Sequence, residues 1–205
     1  MRGCLPAIGS WQPTTPRDAA KVLAALDTLW WVAGGWALEL FCEYSYRSHK
    51  DLDIGILRRH APIVLAALDA WEFFEAKNGM LFRLVAGDVP SAAANSLWGR
   101  PNGETKWTLE LLLDESDGDH WVFRRNSAIT MPLARAIRHN SEGIPYLAPE
   151  IQLLYKARAL RPEDQADFNC CAPLLDDQAL QWLQEAIGTT DSNHPWLLAL
   201  ASWRV

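Results

Sequence analysis

Residues 49–57 read HKDLDIGIL, and no other stretch restricts the fold as tightly. Leu52, Ile54 and Ile56 mark a strand over Asp51–Leu57, yet the same run carries two carboxylates. Side chains alternate across a strand, so Asp51 and Asp53 are expected on one side with Leu52 and Ile54 on the other. Like charges that close repel unless a cation sits between them. A divalent metal is the economical answer, and magnesium is held by a few carboxylates together with substrate phosphates. The rival is an edge strand with a solvated face. Lys50 and the Arg58/Arg59 pair bracket the run with positive charge, which favours the site.

A third acid comes from a later strand expected over Trp107–Asp114, WTLELLLD, where Glu110 is the only charge among the central residues. A charge in such a run is costly unless it is paired or binds a metal. Lys106 or Arg83 would be the structural partner. If the two strands are neighbours, Asp51, Asp53 and Glu110 surround one or two magnesium ions. Asp114 and Glu115 are expected at the solvated strand end.

Around these strands, Thr15-Pro16-Arg17-Asp18 is a helix start with cap, N1 proline and capping box, and the core spacing runs on through Leu29. Trp30–Ala33 reads as a short buried strand, Gly34-Gly35 breaks it, and a helix follows from Trp36 to about Tyr44. Pro62–Leu68 reads as a helix. Asn78-Gly79 joins a hairpin of Trp71–Lys77 and Met80–Val85. Residues 86–106 read as a long loop, a length that is uncommon without a role. With Trp98 and Trp107 it is expected to shape the acceptor side of a cleft. His120–Arg124 forms a further strand. From Ala148 helices take over: one from Pro149, one after Arg161-Pro162, one over Asp176–Ile187 and one from His194 to Val205. The expected class is α+β, a mixed sheet with packed helices and a small helical C-terminal unit, divided as residues 1–130 and 131–205.

The chain has 205 residues, with a net charge of −6 and 49% hydrophobic composition. Nothing in that balance favours a nucleic-acid duplex or an anionic membrane as partner, while a local basic pocket stays compatible with it. No apolar run reaches the roughly 18 residues of a membrane span, and the N-terminus lacks a signal-peptide core. Cys4, Cys42, Cys170 and Cys171 show no CxxC pair, so reduced thiols and a cytoplasmic setting are expected.

Gly34-Gly35 lies between a strand and a helix, where free amides bind phosphate and glycine allows close approach. VAGGWALEL, a polar loop and then HKDLDIGIL resemble the DNA polymerase β-like nucleotidyltransferase superfamily. WTLELLLDE, HWVFRR and YLAPEIQLLYKARALRPEDQADF resemble its aminoglycoside 2''-adenylyltransferase and lincosamide nucleotidyltransferase branch. The resemblance implies that Gly34 and Gly35 cradle phosphate and that Asp51 and Asp53 are metal ligands. Glu110 matches the third acid, which holds the catalytic metal and helps deprotonate the acceptor. Many members have aspartate at that position and Gly-Ser in place of Gly-Gly. Lys156 resembles a motif lysine that reaches the triphosphate. Arg124 or Arg125 is expected to touch phosphate, the alternative being a surface pair balancing Asp117 and Asp119. His49 is expected to orient Asp51 or bind phosphate, the alternative being a solvated loop residue. Asp164 and Asp167 are expected to stabilise their helix start or pair with Arg158 or Arg161. Glu39, Glu43 or Asp88 would meet a polycationic acceptor.

The implied activity is magnesium-dependent transfer of a nucleotidyl group, adenylyl from ATP, to the hydroxyl of a small molecule resembling an aminoglycoside or lincosamide. The rivals are a toxin-like enzyme modifying a protein or tRNA, and a degenerate nucleotide-binding or partner-binding protein.

Overall fold

The apolar run after Asp53 does form a buried strand, and the sheet is assembled around it. The structure, a computed structural model, describes residues 4–6 and 9–202. In chain order the elements are β1 (Cys4–Pro6), α1 (Pro16–Leu23), β2 (Trp30–Val32), α2 (Gly34–Cys42), β3 (Asp53–Leu57), α3 (Ala61–Ala67), β4 (Trp71–Lys77) and β5 (Met80–Leu84). There follow β6 (Ser96–Pro101), β7 (Leu109–Asp117), β8 (His120–Val122), β9 (Thr130–Pro132), α4 (Leu133–Ala136), β10 (Ile137–His139) and β11 (Pro145–Leu147). Helices α5 (Pro149–Lys156), α6 (Pro162–Cys171), α7 (Asp177–Thr190) and α8 (Trp196–Ser202) complete the chain. The last three residues of the helix expected to reach Val205 lie outside the described residues.

The sheet order is β1-β5-β4-β6-β7-β3-β2-β11-β10, with β8 and β9 paired outward from β7. It is a mixed sheet: β3/β7 and β2/β11 are parallel and the other pairs antiparallel. Ile54, Ile56 and Leu57 of β3 are completely buried, because a central strand covered on both faces needs apolar residues at every position. Parallel pairing of β3 with β7 demands a long crossover, which α3 and the antiparallel strands β4 to β6 supply. One apolar core runs from Ala19 to Leu200 and joins the sheet to the C-terminal helices. Phe168 of α6 stacks on Trp196 of α8 with centroids 4.1 Å apart. His194 Nε2 lies 2.8 Å from the Ala157 carbonyl, and its Nδ1 accepts from Trp196 N. The ring thus closes the end of α5 by bridging the Ala157 carbonyl and the start of α8. Among the described residues no helix is long and apolar enough to cross a membrane.

Local sequence rules hold where the chain decides its own conformation. Thr15 Oγ1 accepts from Asp18 N at the start of α1. Asn78 and Gly79 both take positive φ, 52° and 72°, as a two-residue hairpin turn requires. Three expectations are corrected. Helix α1 stops at Leu23, where a closing turn brings Leu26 N to the Leu23 carbonyl, and Leu29 is left exposed as the chain bends into β2. The stretch 86–106 is not one loop, since β6 pairs with both β4 and β7. Sheet position overrides the poor strand propensity of Gly99 and Pro101 there. Strand β7 runs on to Asp117, so Asp114 lies within it and is 5% exposed.

Gly55 sits across from Trp31 in the β2/β3 ladder. A Cβ at Gly55 would come within 1.9 Å of the Trp31 indole nitrogen, and Trp31 is wholly buried. Gly55→Ala is therefore expected to cost about 1–3 kcal/mol by overpacking, read as a lower denaturant midpoint in equilibrium unfolding.

Candidate active site

Strand β3 begins at Asp53, so Asp51 belongs to the loop before it. The expected strand over Asp51–Leu57 is shorter by two residues. Loop and strand together bring the carboxylates close, in place of strict alternation. Asp53 stands directly opposite Glu110 in the parallel β3/β7 register. Both line a cleft of about 1030 Å³ with Asp51, Gly34 and Gly35, closed on its other side by α5 and the start of α6.

Burial pushes the Asp53 carboxyl up to about 7, Glu110 and Asp51 push it the same way, and Lys156 opposes them. Burial also raises Glu110, with Asp51 adding to the shift, while hydrogen bonds from Ser96 and Trp98 of β6 and the charge of Arg124 counter it. Neither Lys106 nor Arg83 serves Glu110. Lys106 donates to Gln12, and Arg83 pairs with Glu72. Among the described residues, no group of three acidic, histidine or cysteine side chains is already gathered in metal-holding geometry. The donor chemistry nevertheless suits a hard divalent cation. Three carboxylates on neighbouring segments supply only oxygen, and Asp53 has its ionised form disfavoured by its surroundings until positive charge arrives.

Gly34 adopts φ +65°, and a Cβ there would lie 2.2 Å from Asp53 Oδ2. The turn thus needs glycine twice over, for its backbone and for the carboxylate pressed against it. Gly34 N donates to Gln152 Oε1 of α5 at 2.9 Å. A Cβ on Gly35 would strike the Arg47 guanidinium at 1.8 Å and His49 at 2.7 Å. This pair of glycines is where the polar loop folds over the start of α2.

That loop is pinned from within. Glu39 of α2 accepts from Tyr46 N and Arg47 N, each at 3.1 Å, and lies 3.0 Å from His49 Nε2. Burial opposes its ionisation, but these donors outweigh it and hold the carboxyl below its usual range. Glu39 is committed to the loop, not to an acceptor. His49 is buried against Trp36, with centroids 4.3 Å apart, and burial lowers its pKa against the pull of Glu39. It is not a solvated loop residue.

Sequence reasoning passed over Arg47. Its Nε and Nη2 grip Asp167 of α6 at 2.7 and 3.0 Å. Asp167 also receives Lys156 Nζ at 2.7 Å, and Lys156 reaches Asp164 Oδ1 at 3.2 Å. Arg161 pairs with Asp164 as expected, but Asp167 takes Arg47 and Lys156 in place of Arg158. The signal available in the sequence was the i, i+3 spacing of two acids on a helix that begins just after a lysine and two arginines. Its partner in the distant loop was invisible there. Arg125 donates to the Tyr155 carbonyl, and both Arg124 and Arg125 lie over the Tyr155 ring at 5.5 and 5.4 Å. They line the cleft, whereas Asp119 pairs with His120. Arg58 and Arg59 bind the far end of β7, at Glu115 and Ser116, away from the carboxylates. Asp114, expected to be solvated, is held by the Tyr155 hydroxyl at 3.1 Å, and burial pushes it up to about 6. Trp98 faces Glu110 across the ladder, while Trp107 is buried in a separate aromatic cluster with Phe74 and Trp98.

Two outcomes are expected of these side chains. Asp167→Ala strands two buried or half-buried cations and should cost about 3–5 kcal/mol, measured by urea unfolding. Asp53 binds its proton more tightly folded than unfolded, so it favours unfolding progressively as pH rises from about 4 to about 7. Above that range the penalty is complete. Asp53→Asn should therefore raise the thermal midpoint at pH 8 in metal-free buffer and leave it unchanged at pH 4, and magnesium should raise the midpoint of the unsubstituted protein at pH 8.

Comparison with known proteins bears on the fold and on the first part of the chain. The profile of the aminoglycoside-2''-adenylyltransferase family matches residues 17–86, a span that takes in the glycine turn, the polar loop and both aspartates. No curated protein sequence matches the chain. The solution structure of the antibiotic-resistance factor ANT(2'')-Ia aligns with TM-score 0.57 at 12% identity, over 86% of this chain and 92% of that one. The lincomycin-bound lincosamide antibiotic adenylyltransferase LnuA aligns with TM-score 0.55 at 14% identity, over 82% and 100%. The chain has the fold of the DNA polymerase β-like nucleotidyltransferase superfamily and resembles its aminoglycoside 2''-adenylyltransferase and lincosamide nucleotidyltransferase branch.

Proposed function

We propose that the protein transfers a nucleotidyl group, adenylyl from ATP, to a hydroxyl of a small molecule. The observation that carries this reading is Asp53 facing Glu110 across parallel strands, with Asp51 alongside, in a cleft whose opposite wall is cationic. The names of the aligned structures, an antibiotic-resistance factor and a lincosamide adenylyltransferase, support an antibiotic-like acceptor. We assign catalysis to residues 1–130 assisted by the helical region 131–205, and we place the enzyme in the cytoplasm.

Asp51, Asp53 and Glu110 would hold magnesium, which when bound supplies positive charge to the triphosphate. The Gly34 amide is taken by Gln152, and the rest of the first turn of α2, from Gly35 on, offers backbone donors to phosphate oxygens. Lys156 has three N–H donors and spends two on Asp164 and Asp167, leaving one for phosphate. Arg125, and Arg124 beside it, present guanidinium edges from the other wall. Glu110 accepts the proton of the acceptor hydroxyl. Its raised pKa brings it closer to that proton's affinity than an exposed carboxylate would be. The acceptor oxygen attacks the α-phosphorus and pyrophosphate leaves, with the rate gained by orientation and charge placement.

Calorimetric titration of each non-hydrolysable nucleoside triphosphate with magnesium tests the donor, and an acceptor screen reads turnover. Asp53→Asn should abolish magnesium-dependent nucleotide binding and turnover. Glu110→Gln should keep nucleotide binding and lower kcat by about 10²–10⁴. Full turnover by Asp53→Asn would defeat the assignment.

A further inference from the structure

Cys42 is the last residue of α2 and Cys171 the last of α6. Their sulfurs lie 3.3 Å apart, although 129 positions separate them in the chain. Nothing in the proposed reaction uses them. Cys171 is fully buried and Cys42 is half-buried, so one thiol can meet a small solute and the other waits behind it. Cys170 is no substitute for Cys171, because adjacent residues on a helix point in different directions. The contact with Cys171 holds the Cys42 thiol below its ordinary value against burial and the nearby Glu39 and Asp167 carboxylates, and the same contact with burial raises Cys171.

We propose that Cys42 and Cys171 form an oxidative modification site, closing to an intramolecular disulfide under a peroxide-class oxidant and reopening under a dithiol. The Cys42 thiolate attacks one peroxide oxygen and the O–O bond breaks. The departing hydroxide takes a proton and leaves as water, and Cys42 becomes a sulfenic acid. The Cys171 sulfur then attacks the Cys42 sulfur, the S–O bond breaks, and the second oxygen leaves as water with the Cys171 proton. Two thiols lose two electrons and one peroxide is reduced to two waters. The sulfurs need to close from 3.3 Å to about 2.05 Å, a small movement of two packed helices.

The closure bears on the cleft. Tyr46 hydroxyl donates to Asp167 Oδ1 at 2.9 Å and lies 3.7 Å from Cys171 Sγ. Asp167, one turn before Cys171 on α6, carries Arg47 and Lys156. Helix α2 carries the glycine turn at its other end. A disulfide therefore links α2, which carries the glycine turn, to α6, whose Asp164 and Asp167 brace Lys156. On the nucleotidyltransferase reading, oxidation should change nucleotide affinity.

The test treats the full chain with hydrogen peroxide and follows it by intact mass and non-reducing peptide mapping. A loss of two hydrogen masses with a peptide linking Cys42 to Cys171, reversed by dithiothreitol and absent in Cys42→Ser and in Cys171→Ser, is the expected result. The oxidised protein should also melt higher, as expected of a cross-link closing so long a loop. A cross-link through Cys4 or Cys170, or Cys42 advancing to sulfinic acid with no cross-link, would overturn the site. Titration with magnesium and non-hydrolysable ATP should then give a Kd that differs severalfold between oxidised and reduced protein, with no difference in Cys42→Ser. Equal affinities in the two states would overturn the link to the cleft. Binding in neither state would count against the nucleotidyltransferase reading and leave the mass result to decide the disulfide.

Discussion

The parallel pairing of β3 with β7 is the constraint from which the site follows. It sets Asp53 opposite Glu110 in surroundings that resist ionisation of both. An antiparallel neighbour could be reached by a tight hairpin, but a parallel one cannot. The chain therefore makes its excursion through α3 and β4 to β6, and that excursion returns β6 to flank β7 on its other edge. Ser96 and Trp98 reach Glu110 from there. The crossover needed for topology also furnishes the surroundings of the third acid.

The opposite wall has the inverse electrostatic problem. Arg47 and Lys156 converge below the glycine turn, and Asp164 and Asp167 hold them in place. Burial alone would raise these two carboxyls, yet the cations outweigh it and keep both below the usual range. The cleft thus opposes carboxylates short of cationic partners to cations already braced by anions. On the proposed reading that polarity suits a triphosphate accompanied by magnesium, and it is built in before any ligand arrives.

Much of this was legible beforehand. The cap at Thr15 and the Asn78-Gly79 turn are local events, governed by a few neighbouring residues, and each stands where the pattern put it, whereas α2 starts at Gly34 itself, two residues before the expected Trp36. Strand β6 was hidden because Gly99 and Pro101 are poor strand formers and only its two neighbours make it a strand. Asp114 looked solvated because a run of Asp and Glu at a strand end usually is. The Tyr155 hydroxyl from α5 gives it a buried partner, and nothing local announces that.

The sequence by itself determined that two aspartates adjoin a buried strand, that glycines precede them at a helix start, and that a third acid interrupts an apolar run. Those are statements about short windows, where residue type and backbone preference act directly. Only the tertiary structure decided that Asp53 faces Glu110, that Gln152 takes the Gly34 amide, that Arg47 and Lys156 share Asp167, and that Cys42 meets Cys171. Each of these joins segments far apart in the chain, and their meeting depends on strand order and helix packing, which no single window contains.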